Sequence, residues 1–196
     1  MGTIKAFESI TLDGVMQAPG RADEDTRGGF AHGGWADGFA DEVSMKFAGE
    51  GMSQKGAMLF GRRTYDDLLG FWSAMGEDNP FTAHLLATPK YVVSRSEEPL
   101  TFANSTLLTG EATETVGRLR SEDDTPLTIL GSGELVRALH AAGLIDVITL
   151  MVHPIVLGSG TRLFDAGERA DLHLTRSVQT TTGVVIAEYA VDRQGD

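Results

Sequence analysis

Apolar and polar residues alternate along Ile4–Ile10, with Ile4, Ala6, Glu8 and Ile10 on one face and Lys5, Phe7 and Ser9 on the other. A period of two predicts a strand, and apolar residues on both faces predict a central place in a sheet. Thr11-Leu12-Asp13-Gly14 reads as a turn in which Asp13 is suited to an Asx-type bond. Val15–Gly34, with Pro19, Gly20, Gly28-Gly29 and Gly33-Gly34, reads as a long loop, functional or mobile. Helical spacing follows: Phe39, Val43 and Phe47 fall at i, i+4 and i+8, with Asp37 placed to cap the start and Gly49 and Gly51 to end it.

Ala57–Phe60 is a short apolar strand, Gly61-Arg62-Arg63-Thr64 a turn, and Tyr65, Leu68 and Leu69 begin a helix running toward Phe71-Trp72. A turn is expected at Asp78-Asn79-Pro80, with a helix over 81–87. Further strands are predicted at Lys90–Ser94, Thr106–Thr109, Leu127–Leu130 and Ile145–Val152, and helices at Glu111–Arg120 and Glu134–Ala142. Leu172–Gln179 and Val184–Val191 flank Thr180-Thr181-Thr182-Gly183 as a terminal antiparallel hairpin. Strands alternating with helices, then two strands with none between, define an α/β chain with a mostly parallel sheet. No linker divides the sequence, so a single domain over residues 1–196 is expected.

Charge narrows the partners. A formal net charge of −12 opposes general binding to nucleic acid or anionic membranes, while leaving room for a local cationic pocket. The absence of cysteine excludes disulfides and thiolate ligands and fits a reducing cytoplasm. No apolar run approaches the roughly 18 residues of a membrane span, and the five histidines show no metal-ligand spacing, so a cytoplasmic protein without a metal is expected.

Candidate chemistry gathers at three strand ends. Phe60 leads into Gly61-Arg62-Arg63-Thr64, Val93 into Ser94-Arg95, and Leu130 into Gly131-Ser132-Gly133-Glu134. In open α/β sheets ligands bind outside the carboxyl ends of the strands, and glycines, hydroxyls and arginines there suit a ligand with several phosphates. The last turn is not the dinucleotide fingerprint, because Val136 stands where G-x-G-x-x-G has its third glycine, nor does it carry the Gly-Lys-Ser/Thr of a P-loop.

In this order, Thr-Leu-Asp-Gly, Leu-Phe-Gly-Arg-Arg-Thr-Tyr, Val-Val-Ser-Arg and Ile-Leu-Gly-Ser-Gly-Glu-Leu resemble the dihydrofolate-reductase-like superfamily. Leu144-Ile145-Asp146, Val152-His153-Pro154-Ile155-Val156-Leu157-Gly158-Ser159-Gly160 and Arg162-Leu163-Phe164 are similar to the reductase domain of the bifunctional riboflavin-biosynthesis deaminase–reductase and its small stand-alone bacterial relatives. The resemblance covers nearly the whole chain. It implies a mostly parallel central sheet with helices on both faces and a C-terminal hairpin, NADPH as cofactor, a small-molecule substrate and a homodimer.

Carried over by position, Gly61, Arg62, Arg63 and Thr64 would lie against the cofactor phosphates, and Ser94 and Arg95 against the 2′-phosphate. Gly131, Ser132, Gly133, Glu134 and Leu135 would cradle the pyrophosphate and nicotinamide side. A carboxylate on the first helix orients the substrate in dihydrofolate reductases, and Asp41 and Glu42 stand there in this chain, where either also suits a helix start. Asp13 either contacts substrate or fixes its turn, and Trp35 either covers the substrate pocket or fills core.

The sequence departs from the riboflavin reductase after Asp13-Gly14. Val15-Met16-Gln17-Ala18-Pro19 stands where that enzyme has a lysine for its phosphorylated ribose chain. The leading expectation is an NADPH-dependent reductase of a small heterocycle, pterin- or pyrimidine-like, or of a carbonyl compound. A non-catalytic nucleotide-binding or dimeric interaction protein comes second, and the ribosylaminopyrimidine phosphate reductase of the riboflavin pathway third.

Overall fold

The alternation at the start of the chain becomes strand β1 (Ile4–Thr11) in a computed structural model that describes residues 1–164 and 169–192. Ile4, Ala6, Glu8 and Ile10 form its buried face, and the intervening residues are half-buried, as a strand covered on both sides requires. The other strands are β2 (Ala57–Gly61), β3 (Lys90–Ser94), β4 (Ser105–Thr109), β5 (Leu127–Leu130), β6 (Val147–His153), β7 (Leu172–Gln179) and β8 (Val185–Val191). The helices are α1 (Glu42–Met52), α2 (Arg62–Ala74), α3 (Pro80–Ala87), α4 (Ala112–Glu122) and α5 (Gly133–Ala141).

The strands form one mixed sheet in the order β4-β3-β2-β5-β1-β6-β8-β7. β2 lies parallel to β3 and β5, and β3 to β4, while β8 is antiparallel to both β6 and β7. This is the mostly parallel α/β sheet with a C-terminal antiparallel hairpin that the sequence pattern predicts. Among the described residues no helix is long and apolar enough to cross a membrane. Contacts divide the chain into two compact units, Met1–Ala6 with Lys55–Ile145, and Phe7–Gln54 with Asp146–Asp196.

The first unit is built on β2, whose apolar run is buried throughout. Met58 and Phe60 pack with Tyr65 and Leu69 of α2, Leu85 of α3 and Val92 of β3. The Tyr65 hydroxyl accepts the Phe102 N–H at 2.9 Å and meets Ser105 Oγ at 3.1 Å, so its polar end is satisfied inside this core. α2 begins at Arg62, three residues earlier than the expected start at Tyr65. Gly61 is extended and serves as N-cap, so no turn intervenes and Arg62, Arg63 and Thr64 form the first turn of the helix. α3 starts as expected, with Asn79 accepting the N–H groups of Phe81 and Thr82 ahead of Pro80 at N1. Its far end is closed by buried Lys90, whose Nζ donates to the carbonyls of Leu85, Leu86 and Thr88 at 2.8, 3.1 and 2.6 Å.

In the second unit the cap of α1 is Asp41, not Asp37. Asp41 Oδ1 accepts the Ser44 N–H at 2.8 Å while Ser44 Oγ accepts the Asp41 N–H at 2.9 Å, a reciprocal pair that outcompetes a cap four residues earlier. Gly49 and Gly51 lie inside the helix rather than ending it. Two glycines cost the helix about 2 kcal/mol relative to alanine. Tertiary contacts hold that segment: Phe47 packs on Phe7 with ring centroids 6.4 Å apart, and Glu50 pairs with Arg176 of β7 at 2.8 Å.

The long segment after Asp13 has its own core of buried Val15, Ala18, Phe30 and Trp35. The buried Gln17 side chain ties it together, donating to the Asp25 and Arg27 carbonyls and accepting the Thr161 N–H and hydroxyl, all within 3.1 Å. Gly160, at φ +115°, closes against this core: a Cβ there would lie 2.7 Å from both the Phe30 ring and Val15 Cγ1. Gly160→Ala therefore forces the cluster apart as well as straining the backbone. A loss of about 1–3 kcal/mol in unfolding free energy is expected by urea denaturation, and an unchanged midpoint would contradict this packing.

Candidate functional site

The strand ends of the first unit bring two helix starts together. Gly61 ends β2 and caps α2 without a side chain to occupy the first N–H groups. After β5, Gly131 (φ +64°) and Ser132 (φ 61°, ψ 42°) both take the left-handed conformation, which turns the chain abruptly into α5. For Gly131 this is inexpensive, and a Cβ there would sit 3.3 Å from the Thr64 methyl. For Ser132 it is strained, at a cost on the order of 1 kcal/mol or more. Its hydroxyl does not cap α5 but accepts the Gly61 N–H at 3.0 Å.

The strain thus holds two helix N-termini side by side with neither capped by a side chain. Aligned peptide dipoles and the absence of a side-chain cap make such an end attractive to an anion. A pair of them beside two glycines suits a pyrophosphate.

Three arginines border these ends, each already engaged. Arg62 pairs with Asp66 at 2.8 Å and donates to the Glu98 and Pro99 carbonyls at 2.8 and 3.3 Å, holding the segment after β3 against α2. Arg63 lies 3.6 Å from Glu134 at the start of α5, with both side chains exposed. Arg95, 81% exposed, makes a two-pronged contact with Glu111, Nε to Oε1 at 2.9 Å and Nη2 to Oε2 at 3.0 Å. The arginine lowers the Glu111 pKa, and the carboxylate raises that of Arg95. Ser94, by contrast, is buried, and its Oγ accepts the Ser96 N–H at 3.0 Å. The structure so gathers Gly61, Arg63, Thr64, Gly131, Ser132, Gly133 and Glu134 around two helix starts. Ser94 and Arg95 stand at the end of neighbouring β3, and Leu135 is buried within α5.

In the second unit Asp13, Asp41 and Trp35, three of the four expected substrate-side residues, prove to be occupied. Asp13 makes no local Asx turn. Its carboxylate accepts the Thr11 hydroxyl at 2.6 Å and the N–H groups of Leu157 and Gly158 at 3.2 and 2.8 Å, with Arg162 3.6 Å away. These donors, the Thr11 hydroxyl foremost, hold its pKa down to about 2. Asp41, besides capping α1, accepts the Thr181 N–H and hydroxyl at 2.6 and 2.7 Å, and the Ser44 and Thr181 donors keep it ionised far below the usual carboxylate range. Glu42 takes part in no such network and lines a groove of about 340 Å³ with Lys46, Phe47, Glu50 and Arg176.

Trp35 is core: its Nε1 donates to the Gln17 carbonyl at 2.7 Å, and its ring meets His153 edge-on at 5.1 Å. Phe39 meets the other side of His153 at 5.4 Å. Since His153 Nδ1 faces only the carbonyls of Ile10 and Met151, at 3.3 and 3.0 Å, it carries the proton, and burial lowers the ring's pKa. After Asp13-Gly14, Val15 is buried and the Gln17 amide is fully engaged. Among the described residues no group of three or more His, Asp or Glu side chains is placed to hold a metal ion.

Two residues carry more than their sequence roles suggested. Glu111 was legible only as a helix start. Glu8 fell on the apolar face of the first strand, which was the available signal, and it is 4% exposed with Oε1 lacking a partner.

The sheet order and paired strand-end helix starts define an α/β fold of the dihydrofolate-reductase-like class. Residues 3–186 match the model of the RibD C-terminal domain, and the chain belongs to that reductase family. It is 29% identical over 147 residues to the uncharacterized protein YyaP of Bacillus subtilis (strain 168), a match covering 70% of this chain and 75% of that one. A Shewanella sp. PV-4 protein ascribed to riboflavin biosynthesis superposes with a TM-score of 0.72 at 21% identity, covering 97% of this chain and 99% of its own. The Thermotoga maritima diaminohydroxyphosphoribosylaminopyrimidine deaminase/5-amino-6-(5-phosphoribosylamino)uracil reductase gives a TM-score of 0.65 at 13% identity, over 97% of this chain and 57% of that larger one. At these identities the structural likeness is one of fold.

Glu8 generates a pH test. Burial raises its pKa from 4.5 to about 8, so the folded state holds a proton that the unfolded chain releases. Its contribution to stability is full below pH 4.5 and is lost as pH rises through 8. Between pH 5 and 8.5 the wild type is expected to lose stability relative to Glu8→Gln, by on the order of a few kcal/mol. Parallel pH profiles of the two urea midpoints would contradict the buried, protonated state.

Proposed function

We propose that this protein is an NADPH-dependent reductase of a small heterocyclic substrate, pterin- or pyrimidine-like, or of a carbonyl compound. The observation that carries the reading is the pair of uncapped helix starts joined by the Gly61–Ser132 hydrogen bond. Two helix starts with no side-chain cap, Arg63 in the first turn of α2 and Arg95 at the next strand end match a pyrophosphate followed by a phosphorylated ribose. Bound nicotinamide supplies a hydride.

The chain's own part is to bind, orient and hold protons. α2 and α5 take the pyrophosphate oxygens on backbone N–H groups, and Gly131 lets the backbone approach closely. Arg95 faces the 2′-phosphate, a charge-assisted contact of about 1.5–3 kcal/mol. Asp13 and Asp41, with their oxygens engaged, act as positioning residues. Asp13 holds the segment at Leu157–Gly158, and Asp41 holds α1 to the β7–β8 turn. Glu42, which lines the groove with Lys46, Phe47, Glu50 and Arg176, is the remaining catalytic candidate of the three acids. The reading includes a homodimer in the cytoplasm, for which sedimentation gives the oligomeric test.

The family match favours one narrower reading, a ribosylaminopyrimidine phosphate as substrate. Buried Val15 and engaged Gln17 in place of a lysine weigh against it.

Titration of the purified protein with NADPH and NADH is the test. Binding of NADPH below millimolar concentration is expected, and binding of neither would refute the cofactor reading. Arg95→Ala should weaken NADPH by about 10- to 100-fold and NADH far less, and equal losses would remove the 2′-phosphate role. Loss of NADPH absorbance with a pterin, pyrimidinone, quinone or aldehyde identifies the substrate class. Stoichiometric binding with no turnover across that panel would mark a non-catalytic protein.

A further inference from the structure

The cations at the strand ends are not in excess. Arg62 is met by Asp66 and Glu98, Arg63 by Glu134, and Arg95 by Glu111, so four carboxylates answer three guanidiniums. The helix starts still offer neutral N–H donors to a pyrophosphate. A 2′-phosphate, carrying about −1.5 to −2 charges, depends instead on a side-chain cation.

Glu111 stands at the critical point. Ser94 of β3 is in register with Thr109 of β4, so the chain beyond each strand, Arg95 on one and Glu111 on the other, leaves the same edge of the sheet side by side. Glu111 is the N-cap residue of α4, yet its side chain makes no cap bond. Its carbonyl accepts the Thr115 N–H at 3.0 Å, fixing the backbone, while its carboxylate turns to clasp the Nε–Nη2 edge of Arg95. Both side chains are more than half exposed, at 81% and 58%, where an ion pair contributes little to stability. A dianion approaching Arg95 meets a pair with no net charge and must either displace the carboxylate or lie beside it. A ribose hydroxyl, in contrast, donates a hydrogen bond to a carboxylate without penalty.

We infer that Glu111 is a specificity-determining residue that restrains affinity for a 2′-phosphorylated dinucleotide by clasping Arg95, and so narrows the preference for NADPH over NADH. This rests on the proposed dinucleotide site. Arg95 attracts the 2′-phosphate, and Glu111 limits how strongly.

The test is a set of binding titrations with NADPH and NADH on the wild type, Glu111→Gln, Arg95→Ala and the double variant, at low and high salt. Glu111→Gln should tighten NADPH about fivefold to tenfold while NADH stays unchanged or weakens, because a screened like charge a few ångströms from the phosphate is removed. The gain should shrink at high salt and vanish in the double variant. Glu111→Ala, confirmed as folded by circular dichroism, should move the NADPH-to-NADH affinity ratio in the same direction. An unchanged ratio, or weaker NADPH binding in Glu111→Gln, would overturn the inference, the latter showing that the carboxylate positions Arg95 for the phosphate. If the wild type binds neither dinucleotide, the site itself is refuted. If it binds NADPH but the ratio ignores position 111, only the role of Glu111 fails.

Discussion

A hydrogen bond from the Gly61 N–H to Ser132 Oγ at 3.0 Å ties together the two helix starts on which the candidate site depends. It forms only because Ser132 accepts a left-handed backbone conformation that disfavours any residue with a Cβ. In that geometry the hydroxyl serves a neighbouring strand end instead of its own helix, so α5 as well as α2 begins without a side-chain cap. Gly61 has no side chain to cap α2, and Ser132 turns its hydroxyl away from α5, so neither helix start has a side-chain cap. The buried β2 core beneath, with Phe60, Tyr65 and Leu69 fully enclosed, fixes where α2 starts. The donors are therefore set before any ligand arrives.

The second unit shows a complementary economy. Its carboxylates are spent on architecture: Asp13 collects donors from Thr11, Leu157 and Gly158, and Asp41 from Ser44 and Thr181. Each joins segments more than a hundred residues apart, so a change at either would disturb geometry before chemistry. His153, clamped between Trp35 and Phe39 with its proton held on Nδ1, belongs to the same scaffolding. Glu8 differs, a buried carboxyl with an oxygen that no described residue answers and a pKa that burial raises.

The strands were legible because their signals are local. The alternation in Ile4–Ile10, the β-branched run at Lys90–Ser94 and the hairpin at Thr180–Gly183 each declare themselves within a few residues. Arginines and glycines after Phe60, Val93 and Leu130 likewise marked the strand ends of the candidate site. Much of what the pattern misplaced depends on partners distant in sequence. Asp41 prevails over Asp37 through its reciprocal bond with Ser44, a local signal three residues on, and through Thr181 in the β7–β8 turn. Gly49 and Gly51 stay helical because Phe47 and Glu50 are held elsewhere. The glycine-rich segment after Asp13 is ordered by Gln17 reaching Thr161 across 144 residues. The Arg95–Glu111 clasp was invisible for the same reason, since β-sheet register and not sequence proximity brings the two together.

The central claim is that backbone N–H groups at the starts of α2 and α5 receive the dinucleotide pyrophosphate. Amide chemical shifts followed through an NADPH titration test it most directly. The account predicts that Arg62, Arg63 and Thr64 of α2 and Gly133 and Glu134 of α5 shift together, on one saturation curve. Saturable binding that leaves these five amides unmoved while others respond would contradict it.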